Sequence, residues 1–235
     1  MVTFQAVVLK FGTNSLVKGN GQKLNYGTVE NIARNSSLLL DAKVTPVLVI
    51  SGALASGMER ENLDCRPDEL PERRRLAAVG SLNFWTTFSE AFAAYGLATA
   101  YVPVTLANLE REAPYMGSFA AYCANNRTVT LWNCNDAILN PEQMADNDPL
   151  AAGLATQLQA DLYIFTDQGI MGTGGAASKQ KASEIVANYN LRQHSEAEFR
   201  QRNKPIHLRF VGIDDLESVC LGVCKNSYAL LRGDI

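Results

Sequence analysis

The chain alternates short apolar runs with longer amphipathic stretches. Six runs are apolar enough for burial on both faces, as is typical of strands in a parallel sheet, and they cover residues 6–9, 45–50, 98–104, 128–132, 162–165 and 206–211. Helical patterns separate them at residues 27–42, 71–95, 113–125, 148–159, 177–190 and 214–222. This alternation predicts βαβ crossovers and a three-layer α/β/α sandwich with a mainly parallel central sheet.

Composition narrows the class of protein. With 235 residues and 47% hydrophobic content, residues 1–235 can form one domain with a sizeable core. The net charge is −3, and no basic stripe or arm indicates nucleic-acid binding. No run approaches the roughly 18 apolar residues of a membrane span, and the start has no signal-peptide pattern. We therefore expect a cytoplasmic protein that acts on a small molecule.

The five cysteines predict no disulfide framework and no metal site. Their number is odd, their spacing is irregular, and no CxxC pair occurs. Free cysteine usually behaves as a small hydrophobic residue. We therefore expect reduced thiols that are mostly buried.

In open parallel sheets, ligands bind beyond the carboxyl ends of the strands, so the residues that follow each strand are the first candidates for a site. Lys10 and Gly12 follow the first strand and could admit a phosphate to backbone N–H groups. Ser51, Gly52 and Ala53 follow the second strand and lead into a helix. Each turn alone could be purely structural, but together they suggest two anionic groups.

Aspartate and asparagine residues cluster after the fourth strand. Asp136 follows that strand closely, and Asn147 and Asp148 stand at the start of the next helix. An aspartate at a helix start is commonly only a cap. The cluster could also bind an ammonium group, orient lysines or hold a metal nucleotide.

A glycine-rich loop follows the fifth strand. Its backbone amides could hold phosphates while a lysine in the next helix balances their charge. The spacing matches neither a P-loop nor a dinucleotide-binding fingerprint, which argues against both of those classes. The candidate nucleotide-binding residues here are Thr166, Asp167, Thr173, Gly174, Gly175 and Lys179.

Five segments in this order resemble the amino acid kinase family over about residues 6–190, and particularly its glutamate-phosphorylating branch: KFGTNSL, VISGALASG, NCNDAI, ADNDPLAAGLA and GTGGAASKQKA. The resemblance implies transfer of a phosphoryl group from ATP, with Mg²⁺, to the side-chain carboxylate of L-glutamate, the first step of proline biosynthesis. It also implies a homo-oligomer and a partner glutamyl phosphate reductase. We expect no C-terminal RNA-binding-like domain.

The same resemblance assigns roles to individual residues. Lys10, Asp148 and Lys179 would be catalytic, with Asp148 organising the two lysines. The acceptor would bind at Ser51, Gly52, Ala53, Asp136 and Asn147. The nucleotide would bind at Lys10, Gly12, Thr166, Asp167, Thr173, Gly174, Gly175 and Lys179.

Two departures from the family pattern keep alternatives open. Cys134 stands where the family has a carboxylate, which favours a different small acidic acceptor. Between Gly169 and Gly172 the family has a much longer segment that helps to cover the nucleotide. The shortness of this segment in the present chain favours a homologue that binds a ligand without turnover.

Overall fold

The computed structural model describes residues 5–18, 23–134, 137, 147–166, 176–195 and 204–232. Six of its strands form one sheet in the order β5-β6-β4-β1-β7-β8, and β2 and β3 form a separate antiparallel hairpin. Every neighbouring pair in the large sheet is parallel. The strands are β1 (Ala6–Phe11), β2 (Val17–Lys18), β3 (Lys23–Leu24), β4 (Thr45–Ile50), β5 (Ala98–Val104), β6 (Thr128–Cys134), β7 (Asp161–Thr166) and β8 (Leu208–Gly212).

Helices cover both faces of this sheet. They are α1 (Thr13–Leu16), α2 (Tyr26–Asp41), α3 (Ala53–Arg60), α4 (Leu70–Ala93), α5 (Leu106–Asn125), α6 (Asn147–Leu158), α7 (Ala176–Ser195) and α8 (Leu216–Arg232). One apolar cluster joins the sheet to α2, α4 and α8, and a second joins it to α5, α6 and α7. Successive side chains of β1 enter the two clusters alternately, as the period of a strand requires. The predicted three-layer fold is confirmed.

The six predicted strands all overlap observed ones, but several helices differ from the prediction: α1 was not predicted, α7 ends at residue 195 instead of 190, and α3, α5 and α8 differ as follows. α5 begins at residue 106 instead of 113, because the Thr105 side chain accepts the N–H of Asn108 and caps an earlier start. α8 runs on to residue 232 instead of ending at 222, because beyond that point Cys224 packs into the core and the buried Ser227 hydroxyl donates to the Ala42 carbonyl at 3.1 Å. The sequence pattern predicts no bounds for α3, because its small residues have the composition of a turn.

The expectation that the cysteines are mostly buried is also confirmed. All five thiols are free, four are buried, and Cys65 is exposed. Burial raises the pKa of the Cys220 thiol to about 12. Among the helices in the described part of the chain, none is long and apolar enough to cross a bilayer.

Candidate active site

The candidate site lies at the carboxyl ends of the four central strands. β6, β4, β1 and β7 are neighbours, so their last residues fall along one edge of the sheet. Phe11 is in register with Ile50 on one side and with Phe165 on the other. β4 and β7 lie on opposite sides of β1, so the order in which the chain adds strands to the sheet reverses at β1. This reversal opens the crevice in which open α/β sheets bind ligands.

A buried carboxylate with two cations forms the centre of the site. The Lys10 ammonium group pairs with Oδ1 of Asp148, and the Lys179 Nζ atom lies 3.8 Å from Oδ2. The Asp148 side chain is 0% exposed, that of Lys10 5% and that of Lys179 12%. The structure thus brings together the three residues predicted to be catalytic, from β1, α6 and α7.

Local structure explains how these groups come to face one another. Alternation along β1 directs Lys10 to the side of the sheet that α6 covers, opposite to Leu9 and Phe11. Asp148 lies in the first turn of α6, where the helix dipole favours a negative charge. Burying charges costs free energy even when they are paired, so this arrangement is weak evidence for a stabilising role and better evidence for a functional one.

A second set of hydrogen bonds joins the ends of β4 and β6 to the start of α6. Asn147 accepts the backbone N–H of Cys134 at 2.9 Å and donates its Nδ2 to the Ser51 hydroxyl oxygen at 2.9 Å. Asn133 donates its Nδ2 to the Ile50 carbonyl at 2.6 Å. Ser51 is half-buried as a residue, and Asn147 orients its hydroxyl group.

The turn after β1 leaves room beside the Lys10 ammonium group. A Cβ atom on Gly12 would lie 3.5 Å from Lys10 Nζ and 3.8 Å from the Phe165 carbonyl oxygen. The Ser15 hydroxyl donates to that same carbonyl at 3.1 Å, which ties α1 to β7. Thr166, the last residue of β7, is buried. Gly12 and Thr166 therefore border the same end of the sheet as Lys10.

The remaining predicted acceptor residues follow β4. Gly52 has φ 130°, a backbone conformation that L side chains rarely adopt. Ala53 is buried and begins α3. The other predicted residues, Asp136, Asp167, Thr173, Gly174 and Gly175, lie outside the described residues.

Cys134 does not line the site as its sequence position had suggested. Its side chain is fully buried in the apolar cluster beneath α5 and α6, while its backbone amide binds Asn147. The thiol thus has a packing role, since the alternation of β6 directs it into the core. The sequence argument for a different acceptor loses its support.

Asn133 and Ser15 are two residues that the sequence reasoning missed. Both fix the strand ends through side-chain bonds to backbone carbonyls. Their position next to predicted strand ends was the available signal, but neither partner is near in sequence. Only the strand order reveals these contacts.

Two ammonium groups beside a buried carboxylate, at the carboxyl edge of a parallel sheet, place a charged site where open α/β proteins bind their ligands. The chain belongs to the amino acid kinase family, whose model matches residues 5–191.

Curated relatives named glutamate 5-kinase are similar to this chain. Identity is 34% over 171 residues with the Shewanella halifaxensis protein, covering 71% of this chain and 46% of the relative. With the Moorella thermoacetica protein it is 35% over 180 residues, covering 75% and 47%. With the Acinetobacter baumannii protein it is 36% over 219 residues, covering 77% and 58%. The chain spans about half the length of the curated relatives it matches.

The last of these alignments is longer than the part of this chain that it covers. Because 77% of 235 residues is about 181, an alignment over 219 residues includes roughly 38 residues of the relative without a counterpart here. A relative with additional residues inside the matched region is what the short segment between Gly169 and Gly172 predicts.

Proposed function

We propose that the protein transfers the γ-phosphoryl group of ATP to the side-chain carboxylate of L-glutamate, giving glutamyl 5-phosphate and ADP. The observation that carries this proposal is the buried Asp148 carboxylate between the ammonium groups of Lys10 and Lys179. Family membership and the names of the relatives support the same reaction.

The reaction needs electrostatic stabilisation more than acid–base chemistry. A glutamate side chain is already ionised near pH 7, so its oxygen can attack the γ-phosphorus without losing a proton. The new O–P bond forms as the bond to the β,γ-bridging oxygen breaks, and ADP leaves with that electron pair. Negative charge spreads over the transferred group, where Lys10 and Lys179 would stabilise it.

Asp148 would act as an organiser of the two lysines. Both of its oxygens face ammonium groups, and it is fully buried, so it holds these cations where the phosphates arrive. Such prior positioning avoids reorganisation during the reaction.

The acceptor would bind beside this centre. We assign its contacts to Ser51, Gly52, Ala53 and Asn147, and we assign its ammonium group to Asp136. The hydroxyl group of the half-buried Ser51, held by Asn147 at 2.9 Å, supports this assignment.

The nucleotide would lie on the Lys179 side of the crevice. We assign it to Lys10, Gly12, Thr166 and Lys179, together with Asp167, Thr173, Gly174 and Gly175. Mg²⁺ bound to its phosphates would reduce their charge. Both carboxylate oxygens of Asp148 already face lysine ammonium groups, so Asp148 does not suit a metal ion. The phosphate oxygens would themselves hold the Mg²⁺.

A coupled assay for ADP release, with ATP, Mg²⁺ and glutamate, tests the proposal. We expect glutamate-dependent turnover that falls at least about 10²-fold in Lys10→Met and in Asp148→Asn, the loss typical of removing electrostatic stabilisation. Lys181→Met is the matched control, since this lysine is exposed on the same helix as Lys179. Turnover that is absent in the wild type, or unchanged in Lys10→Met, would contradict the proposal.

A second candidate function is ligand binding without turnover. The short segment between Gly169 and Gly172 raises this alternative, and the comparisons do not favour it. In that case ATP or glutamate would raise the melting temperature by mass action, while no ADP would be released.

We also propose a cytoplasmic homo-oligomer that passes its unstable acyl phosphate to a glutamyl phosphate reductase. Tyr115, Phe119 and Tyr122 are exposed at helical spacing on α5, which supports self-association. Sedimentation velocity of the wild type and of Phe119→Ser would test this part.

A further inference from the structure

One face of α4 lies directly under the turn that carries Ser51. Leu76, Gly80 and Phe84 recur every four residues along α4 and therefore share a face. All three are buried in α4, and all three meet the segment formed by Gly52 and the first turns of α3.

At two of these positions, Leu76 and Gly80, the backbone of α4 touches the backbone of α3. A Cβ atom on Gly57 would lie 2.0 Å from the Leu76 carbonyl oxygen. A Cβ atom on Gly80 would lie 2.1 Å from the Ala53 carbonyl oxygen. Because carbonyl groups of a helix cannot move independently of it, α3 has little freedom to slide or rotate on α4.

At the third position, the aromatic ring of Phe84 supports the turn that contains Ser51 and Gly52. A Cβ atom on Gly52 would lie 3.0 Å from Cε2 of Phe84. The neighbouring Ser51 N–H donates to the Phe11 carbonyl at 3.1 Å, and the Ser56 N–H donates to the Gly52 carbonyl at 2.9 Å. The turn is thus held between the end of β1, the first turn of α3 and the Phe84 ring.

The far end of α3 is also tied to α4. Glu61, the C-cap of α3, accepts hydrogen bonds from both terminal nitrogens of Arg75, at 2.5 and 2.6 Å. This pair is partly exposed, so its stabilising effect is small, but it fixes the same register as the buried contacts.

We propose that Phe84 and Gly80 are positioning residues for the acceptor: through Gly52 and Ala53 they set the distance of the Ser51 hydroxyl group from Asn147. This inference rests on the proposed function, because it concerns the residues assigned to acceptor binding. The Ser51 to Asn147 bond is 2.9 Å long, so a shift of about 1 Å breaks it. Lys10, Asp148 and Lys179 lie on other elements and keep their places.

The variant Phe84→Leu tests the proposal, with Phe92→Leu as its matched control. Phe92 is equally buried in the same cluster, but it lies two turns further along α4, away from α3. We expect Phe84→Leu to raise the KM for glutamate about 10-fold or more, with the KM for ATP and kcat within about 3-fold of wild type. Phe92→Leu should leave both KM values near wild type despite a similar loss of thermal stability.

A second readout does not depend on the reaction. Amide hydrogen exchange at Ser56 reports the first hydrogen bond of α3, and Phe84→Leu should accelerate it at least about 10-fold while Phe92→Leu does not. Gly80→Ala should have a stronger effect in the same direction, and the proposal does not depend on that variant folding.

The outcomes separate this inference from the proposed function. If the wild type shows no turnover with glutamate but Ser56 exchange responds to Phe84→Leu alone, the proposed function fails and the positioning contact stands. Equal exchange in the two leucine variants would overturn the inference. So would turnover in which the two KM values of Phe84→Leu rise together.

Discussion

Replacing Asp148 by asparagine should destabilise the protein more than replacing Lys10 by methionine. Asparagine has nearly the same shape, so the perturbation is the loss of one negative charge. Among the described residues it leaves the ammonium group of Lys10, whose side chain is 5% exposed, without a counter-charge and facing a second cation, Lys179. In Lys10→Met, by contrast, Asp148 keeps Lys179 as a partner.

The magnitude follows from the geometry. At the 3.8 Å between Lys179 Nζ and Asp148 Oδ2, one charge pair is worth about 4 kcal/mol at an effective dielectric constant near 20. Breaking a buried pair typically costs about 3–5 kcal/mol. For Asp148→Asn we therefore expect a loss of about 4 kcal/mol, which lowers Tm by roughly 8–16 °C in a chain of this size. Lys10→Met should cost about half as much.

Urea unfolding of the wild type, both single variants and the double variant gives the coupling between the two sites. The double variant should be more stable than Asp148→Asn alone, because it no longer buries an unpaired ammonium group. Glu217→Gln is the control, since its pair with Arg34 is exposed and solvent-screened pairs contribute little to stability. Additive effects, or a loss below about 1 kcal/mol in Asp148→Asn, would refute the reasoning.

Three further predictions concern stability and thiol chemistry. Gly57→Ala should destabilise by several kcal/mol in urea melts, whereas Gly222→Ala, with nothing within 4 Å of its new Cβ, should stabilise by about 0.5–1 kcal/mol. Folding raises the pKa of Cys220 from 9.0 to about 12. The protonated thiol therefore contributes fully to the free energy of unfolding below pH 9, and this contribution declines by about 1.4 kcal/mol per pH unit towards pH 12. Urea melts at pH 8 and 10.5 should show a larger loss of stability in the wild type than in Cys220→Ala, which keeps the smaller losses from Cys224 and Tyr163, whose pKa values burial also raises. With a thiol reagent at pH 8, the folded protein should react rapidly only at the exposed Cys65, whereas fast modification of several thiols would contradict the buried positions of the others.

Local pattern was sufficient to predict much of the fold. The apolar runs of β4 and β5 predicted those strands to the residue. Burial on both faces explains the continuous hydrophobic signal of β4, whereas β5 is a partly exposed edge strand and so differs from the burial that its sequence predicted. The positions of Lys10 near the end of a strand and of Asp148 at a helix start likewise follow from local sequence, although β1 runs two residues further than predicted and includes Lys10.

Helix ends and small-residue elements were less predictable. α3 has the composition of a turn and forms a helix where Gly57 and Gly80 allow it to lie against α4. The extension of α8 depends on its contacts with α2, which no local period encodes.

The sequence by itself therefore determined which residue types stand at strand ends and helix starts. Tertiary structure decided which of them meet. Lys10 reaches Asp148 only because β1 lies between β4 and β7, and Asn147 reaches Ser51 only because β4 lies between β6 and β1. Strand order arises from the packing of whole elements against one another, so the site exists only once the sheet has formed.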